Sequence, residues 1–177
     1  MNDQGGDITL LDADGLAAAV PELATILADA VASGASVGFV TPFTAEDAAL
    51  WWRSLTSDVA AGRTLLLLLR ERGRAVGTAQ LRLAPLPNAR HRAEVAKVLV
   101  LREARHRGHA TALMRRIEDL ARTHGRTLLV LDTITGSEAA RLYDELGWTR
   151  SGDIPRYAAM PDGRLEPTTV FFKELAP

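Results

Sequence analysis

The sequence predicts an α/β fold, a mixed β-sheet with helices on its faces. Two observations carry that expectation. Helical and strand patterns follow one another in the order α-α-β-β-β-α-β-α-β. The chain has 177 residues, 47% of them hydrophobic and 24% charged, which suits one domain over residues 1–177 with a sizeable core.

The elements justify themselves in turn. Residues 8–11 make a short first strand, and residues 14–32, rich in alanine and leucine, make a helix with Pro21 near its start or at a break. Residues 33–36 are a loop by composition. Thr44 is placed to cap a helix that carries Glu46 and Asp47 in its first turn and ends near Gly62. Strands at 64–70 and 75–83 are joined by the glycine-containing link Glu71-Arg72-Gly73-Arg74. After a loop at 85–88 comes a strand at 92–101. A helix at 108–124 is stopped by Gly125, followed by an apolar strand at 127–133. A short helix at 138–146 ends on Gly147, and a last strand at 168–173 follows a turn-rich segment at 161–164.

Several function classes recede on composition. The formal net charge is −1, so a nucleic-acid partner is not expected. Without cysteine there is no disulfide framework, thiol nucleophile or thiolate metal site. His106 and His109 stand three apart, but with no further ligand in register no metal is expected. The opening residues lack a basic segment followed by an apolar one, and the longest strongly apolar run is residues 65–69. No membrane association is expected, and a cytoplasmic location is the default.

The chemistry concentrates where the strand at 92–101 runs into Arg102, Arg105, His106, Arg107 and His109, with Gly108 among them and a helix beginning at once. A helix start leaves backbone N–H groups unpaired and carries partial positive charge, and a glycine lets a ligand approach the backbone. That favours a phosphate or pyrophosphate site over a solvated turn. Neither GxxxxGK[ST] nor GxGxxG occurs.

Arg105-His106-Arg107-Gly108-His109-Ala110 resembles the R/Q-x-x-G-x-G/A signature of the GNAT superfamily of N-acetyltransferases. Ala140-Arg141-Leu142-Tyr143-Asp144-Glu145-Leu146-Gly147-Trp148, about 35 residues on, is similar to that family's A-x-x-[FL]-Y-x-x-x-G-[FYW] pattern. The resemblance implies a central, mostly antiparallel sheet with one splayed parallel strand pair and helices on both faces. It implies acetyl-CoA as co-substrate, its pantetheine arm on the backbone of Val98, Leu99 and Val100. The pyrophosphate would rest on the amides of His106, Arg107, Gly108, His109, Ala110 and Thr111, beside Arg105. Further segments, at 34–39, 58–62, 92–95, 131–133, 161–165 and 172–173, are similar to a toxin-resistance branch of the family.

Tyr143 has two readings. By residue type it is a packing aromatic, whereas within the second motif it is the acid that protonates the departing CoA thiolate, since a phenol with pKa about 10 keeps its proton near pH 7. Glu94 and Asp132 are the candidates for base, or for binding the substrate ammonium. The plainer alternative for each is an ion pair, for Glu94 with Arg92 or Lys97. Tyr157 and Arg92 are candidate substrate contacts, with Arg156 as a further carboxylate partner. Trp51 and Trp52 anchor a helix, though one of them could line a substrate pocket.

Three departures from the family pattern stand out: Ala110 for a second glycine, Arg102 for a common proline, and Gly136 for a common asparagine. The expected activity is direct acetyl transfer to a small-molecule amine by a monomer or homodimer. Protein or peptide N-acetylation and non-catalytic acyl-CoA binding are the alternatives.

Overall fold

The computed structural model describes residues 6–176. Strand β1 (Asp7–Leu11) leads into helix α1 (Ala13–Ala32), then α2 (Ala45–Ser54) and the single-turn α3 (Thr56–Ala60). Strands β2 (Thr64–Glu71), β3 (Arg74–Leu83) and β4 (Arg92–Val100) follow. Helix α4 (His109–Thr123), strand β5 (Leu128–Ile134), helix α5 (Glu138–Glu145) and strands β6 (Thr149–Ala159) and β7 (Leu165–Glu174) complete the chain. The seven strands form one sheet in the order β1-β2-β3-β4-β5-β7-β6, antiparallel except for β4 and β5.

The local chemistry explains most boundaries. Asp12 caps α1 by accepting from the Gly15 N–H at 2.7 Å, and Thr44 with Asp47 forms a reciprocal capping box on α2. Arg72 and Gly73 both take positive φ, the geometry of a tight hairpin between β2 and β3. Every residue of β3 from Ala75 to Leu81 is buried, as expected of a strand covered on both faces, and α1 and α4 both pack on β3 and β4. Trp52, fully buried on α2, donates from its indole N–H to the Leu23 carbonyl of α1 at 2.9 Å.

The mixed α/β expectation holds, with differences of detail. Pro21 lies inside α1 without ending it. The helix expected to run to Gly62 breaks at Leu55 into α2 and α3. Strand β6 was not expected. It is an edge strand exposed over Thr149–Tyr157, so it shows no alternation of apolar residues, and Gly152 and Pro155 are residues of turns. Its pairing with β7 slips between Arg150 and Gly152 and between Ile154 and Ala158, which accommodates both.

By length and composition α1 matches a membrane span. Nine of its residues are buried within this fold, and Glu22 and Asp29 pair with Arg70 and Arg102.

Candidate functional site

The parallel pair β4–β5 is short. Arg92, Ala93 and Glu94 stand opposite Leu128, Leu129 and Val130, and there the pairing stops. β4 continues to Val100 held only by β3, and β5 continues to Ile134 held only by β7. The two strands therefore part at the level of Glu94 and Val130. The edge of β4 beyond that point, with Val98, Leu99 and Val100, faces a gap where backbone groups lack strand partners. One of those groups is already engaged: Arg105 Nε donates to the Val100 carbonyl at 3.2 Å.

The far end of β4 delivers the chain to the mouth of α4. His106 and Gly108 take φ of +60° and +80°, with Arg107 between them, left-handed turns of the kind found in backbone anion sites. Ala112 is the first residue of this run whose N–H is taken up, by the Gly108 carbonyl at 2.9 Å. The N–H groups of His106, Arg107, Gly108, His109, Ala110 and Thr111 have no backbone acceptor among the described residues. The arginines of the motif are otherwise occupied. Arg105 also binds Ser33 Oγ at 3.2 Å, and Arg107 binds Glu71 at 3.0 Å and the Glu103 carbonyl at 2.8 Å. An anion here would meet backbone first. Next to this mouth an open depression is lined by Arg70, Arg72, His106, Arg107 and His109 together with the carboxylates Asp7 and Glu71. His109 is buried with its Nε2 unbonded, 3.7 Å from Glu71 Oε1. Among the described residues no group of three or more His, Asp or Glu could hold a metal ion.

Tyr143 is buried on the inner side of α5, its ring 5.9 Å from Phe171 and 6.0 Å from Trp148 between centroids. Burial pushes its hydroxyl pKa up to about 12, and the negative charge of Asp132 adds to the rise. The ring packs in the core, and the hydroxyl holds its proton through the neutral range. Asp132 lies two residues past the last β4–β5 pair, exposed, and its Oδ2 accepts from Thr168 Oγ1 at 2.8 Å. Glu94 sits at the parting point with its side chain half exposed. Its ion-pair partner is neither Arg92 nor Lys97 but Arg82 of β3 at 3.4 Å, because antiparallel register places Arg82 directly opposite Glu94.

Arg92 and Tyr157 are not brought into this group. Arg92 is exposed at the closed end of the strand pair, opposite Leu128. Tyr157 is 53% exposed on the edge strand β6, where pairing with β7 is interrupted. Arg156, at φ +53°, marks the same interruption.

The residues that sequence reasoning underrated are aromatic. Trp51 and Trp52 divide their work: Trp52 anchors α2, while Trp51 packs edge-on against Phe39 at 5.4 Å, and Phe39 stacks with Phe43 at 4.4 Å. Lys97 lies over this group, its Nζ 5.2 Å from the Trp51 ring and 5.9 Å from that of Phe39. The loop that carries Phe39 is tied to the β6–β7 turn, where Thr41 donates to the Pro161 carbonyl from its N–H at 2.9 Å and its hydroxyl at 2.7 Å. The available signal was a lysine between Ala96 and Val98 in a largely apolar strand.

Comparison with known proteins agrees with this geometry. The model of the acetyltransferase (GNAT) family matches residues 28–148. An N-acetyltransferase from Staphylococcus aureus Mu50 superposes with a TM-score of 0.79 at 18% identity, over 97% of this chain and 99% of that one. A ribosomal-protein-alanine N-acetyltransferase from Brucella melitensis gives 0.75 at 23% identity, over 96% and 99%. yncA from Salmonella typhimurium, described with its cofactor acetyl-CoA, gives 0.77 at 21% identity, over 97% and 95%. Likeness at these identities speaks to fold alone.

Proposed function

The chain belongs to the acetyltransferase (GNAT) family, and from that premise we propose that it transfers an acetyl group from acetyl-CoA to the amine of a small molecule while both are bound. The observation that carries this reading is the parting of β4 and β5 straight after Glu94 and Val130, with unpaired amides from His106 to Thr111 beyond it. A gap edged by free strand backbone suits the amide-bearing pantetheine arm, and the αL-turned amides at a helix mouth suit a pyrophosphate.

Acetyl-CoA supplies the thioester whose carbonyl carbon a neutral amine attacks. In this reading the β4 edge at Val98, Leu99 and Val100 aligns the arm, and the α4 mouth fixes the phosphates. Asp132 or Glu94 orients the acceptor's ammonium group and takes its proton, directly or through water. Tyr143 keeps its proton at neutral pH, because burial and Asp132 disfavour the phenolate, and gives it to the sulfur as negative charge develops there.

The segments at 34–39, 58–62, 92–95, 131–133, 161–165 and 172–173 resemble the tabtoxin-resistance acetyltransferase. That likeness supports an amino-acid-like toxin or antibiotic as acceptor and detoxification as the role. We take the chain as one catalytic domain acting in the cytoplasm, as a monomer or homodimer, without metal, nucleic acid or membrane. The nine α1 residues buried within the fold support the last point.

Thermal melting with and without acetyl-CoA tests the donor. At one hundred times Kd the midpoint should rise by about 5–10 °C, and no rise at saturation overturns the reading. Release of CoA thiol over a panel of amino acids, dipeptides, aminoglycosides and β-lactam amino acids then identifies the acceptor.

A further inference from the structure

β4 spends a bulge on a lysine. Between the pairs Thr78–Leu99 and Gln80–Ala96, β3 advances two residues and β4 three, and Lys97 takes a left-handed φ of +52°. That backbone is strained for a residue with a Cβ, so something must hold it. The ammonium is then placed by Trp51 and Phe39.

Ring faces fix a cation without using its N–H donors. Lys97 is half-buried, yet it donates no hydrogen bond and has no carboxylate within 4.0 Å among the described residues. The charged groups that act on it are Arg82, Glu94 and Asp132. Burial and the Arg82 charge lower its pKa to about 8, so it is still mostly charged at pH 7. The parted strands therefore present a carboxylate pair and a fixed cation together. An acceptor bearing only an amine would meet that cation as repulsion. One that carries a carboxylate beside its amine can turn its ammonium toward Asp132 and Glu94 and its carboxylate toward Lys97.

We propose that Lys97 is the specificity-determining residue of the acceptor site, binding the carboxylate of an amino acid or amino-acid-like acceptor. This rests on the acetyltransferase reading. The test uses matched pairs that differ by that group: L-lysine and cadaverine, L-phenylalanine and phenethylamine, L-2,4-diaminobutyrate and 1,3-diaminopropane. CoA release is measured with the wild type, Lys97→Met and Lys97→Arg. The carboxylate-bearing member of at least one pair should be preferred by about tenfold or more in kcat/KM, mainly through KM. Lys97→Met should erase the preference with acetyl-CoA affinity unchanged, and Lys97→Arg should keep part of it.

Equal use of both members, or a preference that survives in Lys97→Met, overturns the assignment. So does a panel in which no carboxylate-bearing acceptor reacts although acetyl-CoA still raises the melting temperature. A protein that acetyl-CoA does not stabilise loses the premise and this inference with it.

Discussion

Thr168 Oγ1 lies 2.8 Å from Asp132 Oδ2 and 2.8 Å from the Thr133 carbonyl oxygen, so a single buried hydroxyl on β7 reaches both the carboxylate and the backbone of β5. One hydroxyl proton serves one acceptor at a time. Thr168 thereby limits how Asp132 can point into the gap beyond Val130. In the proposed reaction it would act on the acceptor through Asp132, as a positioning residue.

Replacing Thr168 with Val removes that proton at nearly constant volume. kcat should fall about 3–10-fold with KM for acetyl-CoA unchanged, and stability should drop by about 1 kcal/mol. Thr168→Ser restores the hydroxyl and should restore kcat. Steady-state kinetics of both variants beside a urea melt separates positioning from simple destabilisation, which Ser would rescue less well because it lacks the methyl group.

Tyr143→Phe keeps the ring against Phe171 and Trp148 and removes only the acid. We expect kcat to fall by about 10²–10⁴-fold, in the range of general-acid contributions, with acetyl-CoA affinity within twofold by calorimetry. Because the folded phenol titrates near 12, the wild type should show no loss of kcat from Tyr143 ionisation below about pH 11. Unchanged turnover in Tyr143→Phe would remove the residue from the mechanism.

Gly108 and Arg107 are neighbours with opposite expectations. A Cβ at Gly108 meets nothing within 4 Å, so Gly108→Ala suffers only from its φ of +80°, at about 1–2 kcal/mol. The relief is a shift of the very amides at the α4 mouth, and acetyl-CoA should bind about tenfold more weakly. Arg107→Ala, whose side chain is committed to Glu71 and Glu103, should change acetyl-CoA affinity by less than threefold. Titration calorimetry on the two variants decides it.

Lys97 also makes a prediction for stability. Its folded pKa is about 8 against an ordinary 10.5, so the unfolded chain binds more protons between those values. Stability therefore rises with pH from about 8 to 10.5 as the folded lysine gives up its costly charge. The depression corresponds to a net cost of about 3 kcal/mol for the charged form in the fold. Lys97→Met should accordingly be the more stable protein at pH 7, by up to about 3 kcal/mol, and the gap should narrow by pH 10.5 in chemical denaturation. A less stable variant at pH 7 would mean that the lysine stabilises the fold.

How much of this was legible in the chain depends on range. The β4–α4 junction could be read because strand periodicity, Gly108 and the helix pattern sit within twenty neighbouring residues. The short parallel pair could not be placed from periodicity, which does not report where pairing stops. β6 escaped because an exposed edge strand with Gly152 and Pro155 has the composition of a loop. Arg82 escaped as the partner of Glu94 because antiparallel register, not sequence proximity, decides which residues face each other. In the sequence Lys97 shows only as an ion-pair partner for Glu94. Its aromatic surroundings come from Phe39 and Trp51, far off in the chain and gathered only by the packing of α2 and the loop before it.

The bond from Thr41 to the Pro161 carbonyl joins positions 120 residues apart. It fastens the stretch bearing Phe39 to the hairpin end of β6 and β7, so the wall beside Lys97 draws on both halves of the chain. The donor side is different, since β4 and the α4 mouth form one unbroken segment. Retargeting such a protein to a new amine by grafting a single loop should therefore fail where exchange of the donor segment would succeed. Under the proposed reading, acceptor preference would be a composite trait, inherited only when both halves change together.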